Sequence, residues 1–256
     1  MNNGRKIRTF MADNLVACIF LVLTLVSIPL SQLSAQYIID DLLTRIGRNA
    51  FLVFSLILPI MAGMGINFGM VLGAMAGQIG LIFAMDWGIG GIQGVVFAAL
   101  VGMPLSVLLG WIAGTILNKA RGREMVTSYI LGFFFNGVYQ FFVLYLFGTN
   151  SIVRLHNRAI ALSRGVGVRN TLNLDPVRQV LDDALMLRIS GVKIPILTYL
   201  VIAVLCLFII WFKKTKLGQD MRAVGQDQAV SNSAGIKVEF TRILAIVIST
   251  ILACFG

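Results

Sequence analysis

The sequence predicts an all-α fold, a polytopic transmembrane helical bundle of about seven spans with the last one incomplete. Three observations carry that expectation. Hydrophobic residues make up 58% of the chain and charged residues 12%, with a mean hydropathy of +0.89, whereas soluble domains are roughly a quarter charged. Between Arg48 and Lys119 the only charged side chain is Asp86, and a crossing needs about 20 mostly apolar residues, so this interval alone holds about three crossings. Small residues then recur every fourth position along the apolar runs, the spacing at which membrane helices bring their backbones together.

Taken in order, the apolar runs place spans near 14–33, 50–66, 67–86, 91–117, 126–147 and 195–212, and a seventh begins near Ile243. The first run is flanked by Arg5, Lys6 and Arg8 and is followed by Leu33-Ser34-Ala35. It reads as an uncleaved helix rather than a signal sequence, because Leu15 to Leu30 is long for a signal core. The second and third runs meet at Gly63, Gly65, Asn67 and Gly69 with almost no polar loop between them. This junction is either an interrupted helix lining a wet cavity or a tight turn at the membrane face.

Gly65, Gly69, Gly73 and Gly77 fall on one slowly winding ridge, and Gly94, Ala98, Gly102, Ser106, Gly110 and Gly114 on another. Both read as helix-packing ridges. Asn67 with Gln78, and Asn136 with Gln140, each share a helical face. Uncharged amides suit the pathway of a polar, uncharged solute, although amides also hold helices together. Asp86, followed by Trp87, is expected at the outer interface.

After the fifth span, residues 148–194 form an external segment. Asp175-Pro176 opens an amphipathic helix there, with Val177, Val180, Leu181, Ala184 and Leu185 on one face. It is either a landing surface for a binding protein or a lid over the bundle. The last run, Ile243 to Gly256, reaches about 21 Å at about 1.5 Å per residue, short of a core of about 30 Å. On this reading residues 1–256 are one transmembrane domain. It has a first membrane block over 14–147, the external segment 148–194, and later spans over 195–256 interrupted by a polar loop, 213–242.

The formal net charge of +10 is informative through its placement. Arg5, Lys6 and Arg8, then Lys119, Arg121 and Arg123, then Lys213, Lys214, Lys216 and Arg222 share one side if every run crosses. That side is expected to be the cytoplasm, with the N terminus inside, although segment 148–194 also carries basic residues. Cys18, Cys206 and Cys254 lie inside the runs, and His156 is the only histidine, so no metal ligand set is expected. No P-loop motif, no His-Glu-x-x-His and no intramembrane carboxylate pair is present. Gly88 to Gly94 lacks the glycine spacing of a dinucleotide loop. The chain is therefore expected to bind no cofactor and not to be an enzyme.

The polar loop carries the most specific pattern: Lys216-Leu217-Gly218, Arg222-Ala223-Val224-Gly225, Ala229 and Ala234-Gly235-Ile236. Together with Gly65-Ile66-Asn67-Phe68-Gly69 and the Gly-Ala-Met-Ala-Gly run of 73–77, it resembles ABC importer permeases of the ribose and branched-chain-amino-acid type. Gln226-Asp227 departs from the Asn-containing pair such loops often have. The resemblance implies a plasma-membrane permease subunit that pairs with a second permease, cytoplasmic ATPase subunits and an extracytoplasmic solute-binding protein. It implies further spans after Gly256 and ATP hydrolysis on a separate subunit. It places ATPase docking on Gly218, Asp220, Met221, Arg222, Val224, Gly225 and Gly235, with Met221, Arg222 and Val224 entering a groove of the ATPase. The expected solute is a simple sugar or nucleoside. The alternatives are a branched-chain amino acid permease or a stand-alone ion-coupled carrier.

Overall fold

Helices form wherever the apolar runs allow all backbone hydrogen bonds to close internally, which is the condition for crossing hydrocarbon. The computed structural model describes residues 14–148, 153–157, 160, 167, 168, 186–189 and 192–256. The predicted outer helix around 175–185 lies outside the described residues. The helices are α1 (Leu15–Leu30), α2 (Ala35–Ser55), α3 (Ile57–Met61), α4 (Met70–Asp86), α5 (Gly91–Lys119) and α6 (Glu124–Phe141). They continue with α7 (Ile196–Phe212), α8 (Lys216–Gln226), α9 (Gln228–Ser233) and α10 (Val238–Phe255). Two short pairings, β1 (Phe147–Gly148) with β2 (Val153–Arg154) and β3 (Met186–Ile189) with β4 (Val192–Pro195), are the only sheets among the described residues.

The chain divides into two compact units, 1–45 with 187–194, and 46–186 with 195–256. In the first unit α1 buries none of its residues. In the same unit α2 begins at Ala35, fifteen positions before the apolar run near 50 that was expected to open the span. Its charges are accommodated on the helix surface: Arg45 Nε donates to Asp41 Oδ2 across one turn at 2.7 Å, so the polar stretch winds as a helix instead of forming a connector.

The second unit holds the bundle. Helices α2 and α3 together make a 27-residue candidate span with a break at Leu56. Pro59 explains the break, because its ring lacks the N–H that would bond the Ser55 carbonyl and crowds that turn. Residues 62–69 then form a turn in which Gly63 (φ +72°) and Gly65 (φ +67°) adopt left-handed backbone. The junction is thus a non-helical turn between α3 and α4.

Helices α4, α5 and α10 make the core. Gly94, Ala98, Gly102, Ser106, Gly110 and Gly114 of α5 are all buried. A Cβ at Gly102 would lie 2.8 Å from Cys254 Sγ and 3.0 Å from the Ala76 carbonyl, and one at Gly114 would lie 3.2 Å from Ile243 Cα. The order of these contacts runs α5 antiparallel to both α4 and α10. Gly73 and Gly77 meet the Thr250 and Cys254 carbonyls of α10. The predicted ridge on the earlier glycines does not extend upstream: Gly65 has no neighbour within 4 Å of a built Cβ, and Gly69 caps α4. Both serve the turn instead of helix packing.

The last helix starts at Val238, not near Ile243, and its 18 residues reach about 27 Å. The earlier start is possible because Arg242, fully buried, donates through Nη2 to Glu124 Oε1 at the start of α6. Pairing removes the isolated charge that would have ended the helix.

Candidate functional site

At one end of the second unit the turns 62–69 and 120–123, helices α8 and α9, and the start of α10 converge. Phe68 N donates to Ser128 Oγ at 3.1 Å, Arg121 pairs with Glu239 at 3.0 Å, and a Cβ on Gly63 would stand 2.9 Å from Gly225 Cα. Lys119, Arg121, Arg123, Lys213, Lys214, Arg222 and Lys237 are exposed there.

Helix α8 turns by 73° from α7. Thr215 caps it, its Oγ1 accepting from Gly218 N at 3.3 Å. Gly218, Met221 and Val224, spaced by three, form its buried face, with Met221 0% and Val224 1% exposed. Buried in the chain's own packing, these residues are not available to a groove of another protein, which corrects the expectation for Met221 and Val224; Met221 belongs to the same core cluster as Leu58, Ala62 and Leu72. Gly225 packs its backbone on the α3–α4 turn. Gly235 (φ +84°) ends α9, with Ile236 N donating to Ser231 O and Gly235 N to Asn232 O, both at 3.0 Å, the pattern of a left-handed helix cap. Of the seven predicted docking residues, Arg222, Gly225 and Gly235 are exposed, Asp220 is half-buried, and Gly218, Met221 and Val224 are buried.

The exposed surface of this end is instead Gln219, Arg222 and Gln226 of α8, with Ala229 and Val230 of α9; Val230 is 66% exposed. Asp227 links the two helices by capping α9, its Oδ1 accepting from Ala229 N at 2.8 Å and Val230 N at 3.0 Å. Asp and Asn are equivalent in that role, so the departure at Gln226-Asp227 preserves the cap. Val230 was missed because a lone valine in a polar loop carries no periodic signal.

Between α4 and α6 lies an open groove of about 330 Å³ lined by Gln78, Asn136, Tyr129, Phe133, Tyr139 and Phe68, among others. Its lining contains no Asp, Glu, Lys or Arg. Gln78 is exposed and Asn136 half-buried. Presenting an unpartnered amide to hydrocarbon costs about 2–7 kcal/mol, so this face requires water or protein against it rather than lipid tails. Tyr129 bridges Phe68 and Phe133 with edge-on contacts at 5.7 and 4.7 Å between centroids.

Two of the four predicted pathway residues are not in this groove. Asn67, 2% exposed, lies in the turn, where its Oδ1 accepts from Gly69 N at 2.8 Å and fixes the entry to α4; Gln140 is exposed one turn beyond Asn136 and outside the lining. The helical reading paired Asn67 with Gln78, and the turn at 62–69 separates them. The groove tyrosines escaped notice because aromatic residues are common throughout the span.

At the opposite end, Asp86 is buried and not at a free interface. Its Oδ1 accepts from His156 N at 2.7 Å and Asn157 N at 2.8 Å, and Oδ2 lies 3.2 Å from His156 Nδ1. It fastens the segment after α6 over Ile82, Phe147 and Leu155.

A bundle of apolar helices with close-packed glycine ridges, an amide-lined groove between α4 and α6 and an amphipathic helix at one end fits the membrane-spanning subunit of a transport system. Residues 38–256 match the family described as the branched-chain amino acid transport system, permease component, and the chain belongs to this family of ABC-transporter permeases. No curated protein matches the chain, and no solved structure does.

Proposed function

We propose that the chain is the permease subunit of an ATP-driven importer for an uncharged polar solute, a simple sugar or nucleoside. The observation that carries this reading is the α4–α6 groove, where Gln78 and Asn136 face each other's helix among aromatic rings and no charged side chain lines the wall. A branched-chain amino acid is a zwitterion, and its carboxylate and ammonium call for charge-assisted partners in a low-dielectric path. A sugar or nucleoside is satisfied by amide hydrogen bonds and by stacking on Tyr and Phe.

The remaining parts of the assembly follow the same reading. Cytoplasmic ATPase subunits dock on the exposed side of α8 and α9 through Arg222, Gln219 and Val230, a second permease completes the wall of the groove, and an extracytoplasmic binding protein delivers solute at the Asp86 end. The basic residues gathered at the α8 end support a cytoplasmic location for it, in the plasma membrane with the N terminus inside.

The test is uptake in vesicles containing the complete complex. Gln78→Leu combined with Asn136→Leu is expected to abolish ATP-dependent uptake of labelled nucleosides or sugars while the assembly still forms. Saturable leucine uptake by the wild-type complex, with neither sugar nor nucleoside competing, would reverse the solute assignment. Uptake driven by an ion gradient without ATP would replace the importer by a stand-alone carrier.

A further inference from the structure

Helices α5 and α10 leave a second groove on the opposite face of the α5 glycine ridge, and its two halves differ in chemistry. The membrane part, about 410 Å³, is lined by Pro104, Val107, Leu108, Trp111, Ile243 and Val247, with Phe240 at its end. The end part, an open groove of about 680 Å³, begins at the same Phe240 and is lined by Arg121, Lys237, Glu239, Gln228 and Asn232. Phe240 is 58% and Trp111 59% exposed, so neither ring is covered by the described residues.

We propose that these two adjoining grooves, which share Phe240, together hold one anionic glycerophospholipid, with an acyl chain along α5 and α10 and the phosphate between Arg121 and Lys237. Four features select this occupant. The membrane half offers only apolar side chains, which an acyl chain fits and a polar solute does not. The end half carries two cations against one anion, and the anion, Glu239, holds Arg121 in place at 3.0 Å while Lys237 has no ion pair among the described residues; the surplus charge is positive. Exposed Lys119 and Arg123 flank it. Gln228 and Asn232 add amide donors and acceptors suited to a hydroxylated headgroup such as glycerol. Phe240, shared by both halves, occupies the junction, where aromatic rings are favoured at the headgroup boundary. Basic pockets between spans are established positions for acidic headgroups.

Trp87, Trp111 and Trp211 are the chain's tryptophans, so Trp87→Phe with Trp211→Phe leaves Trp111 as the sole reporter. The protein is placed in phosphatidylcholine vesicles containing an equal fraction of either brominated phosphatidylglycerol or brominated phosphatidylcholine. Trp111 is expected to be quenched preferentially by the phosphatidylglycerol, with about a fivefold preference per basic side chain. The preference is expected to disappear in the Arg121→Gln, Lys237→Gln double variant and, in the unmodified pair, at high ionic strength, where screening acts without any change in the fold. Equal quenching by both lipids would show an ordinary lipid face and overturn the proposal. Absence of quenching by either would show that another protein chain covers the groove, and would overturn it as well.

Discussion

Replacing Glu124 by Gln tests how the last helix is able to begin where it does. Arg242 is fully buried, its Nη2 pairs with Glu124, and its Nε and Nη1 have no partner among the described residues. The Glu124 side chain is 13% exposed, so both charges depend on each other for compensation. Glu124→Gln keeps the size and an acceptor but leaves the guanidinium without a counter-charge, and removing one member of a buried pair costs about 3–5 kcal/mol. In a chain of this size each kcal/mol lowers the melting temperature by about 2–4 °C, so a drop on the order of 10 °C is expected. The double variant Arg242→Met, Glu124→Gln exchanges the cation for an apolar side chain of similar length and is expected to recover most of that loss. The assay is thermal unfolding of detergent-purified protein followed by loss of the monodisperse size-exclusion peak. A single variant that melts within about 2 °C of the parent, or a double variant no better than the single one, would refute the idea that this pair carries the start of α10.

Other expectations follow from the same contacts. Gly102→Leu should abolish monodisperse protein, because even a Cβ would reach Cys254 Sγ at 2.8 Å; recovery of normal, detergent-stable protein would contradict the packing of α4, α5 and α10. Met221→Ala should destabilise the subunit by about 2–5 kcal/mol, whereas Arg222→Glu should leave its melting point unchanged and uncouple uptake from ATP hydrolysis. The two variants distinguish the inward face of α8 from its outward one, and retained uptake in Arg222→Glu would exclude that residue from docking. Asp86→Ala should speed amide exchange at His156 and Asn157, whose N–H groups it accepts; unchanged protection would mean that other contacts hold the segment.

Much of the bundle was legible because hydrocarbon imposes a simple rule on sequence. Runs of about 20 apolar residues mark spans, and the α5 ridge at every fourth position identified the face that packs. The failures share one cause: a polar residue has different meanings according to what lies beside it in three dimensions. Asp40, Asp41, Arg45 and Arg48 fall between the first two expected spans, 14–33 and 50–66, and lie on α2. Arg242 looked like the end of a loop and lies within α10 because Glu124, far away in sequence, meets it. Asn67 looked like one member of a helical pair, yet its carbonyl oxygen caps a turn.

At the docking helix the periodicity was clear and its direction was not. Gly218, Met221 and Val224 mark one face of α8, but an amphipathic helix at a membrane surface can turn that face to a partner or to its own bundle. The burial of that face settles the matter, and the residues that share Met221's core cluster, Leu58, Ala62 and Leu72, lie more than a hundred residues upstream. The α4–α6 groove was half legible: Gln78 and Asn136 stood out as amides in apolar runs, while its tyrosines carried no distinguishing pattern.

The meeting of Gly63 with Gly225 has a mechanical consequence. Main chain touches main chain there, with no flexible side chain between the α8 helix and the turn that leads into α4. Close-packed protein resists compression, so a force applied to α8 reaches that turn without being absorbed along the way. The turn is tied in its own right to α6 through Ser128. A push at the end of the bundle is therefore delivered to the feet of both helices that wall the groove, as a lever bears on a hinge with no play in the joint.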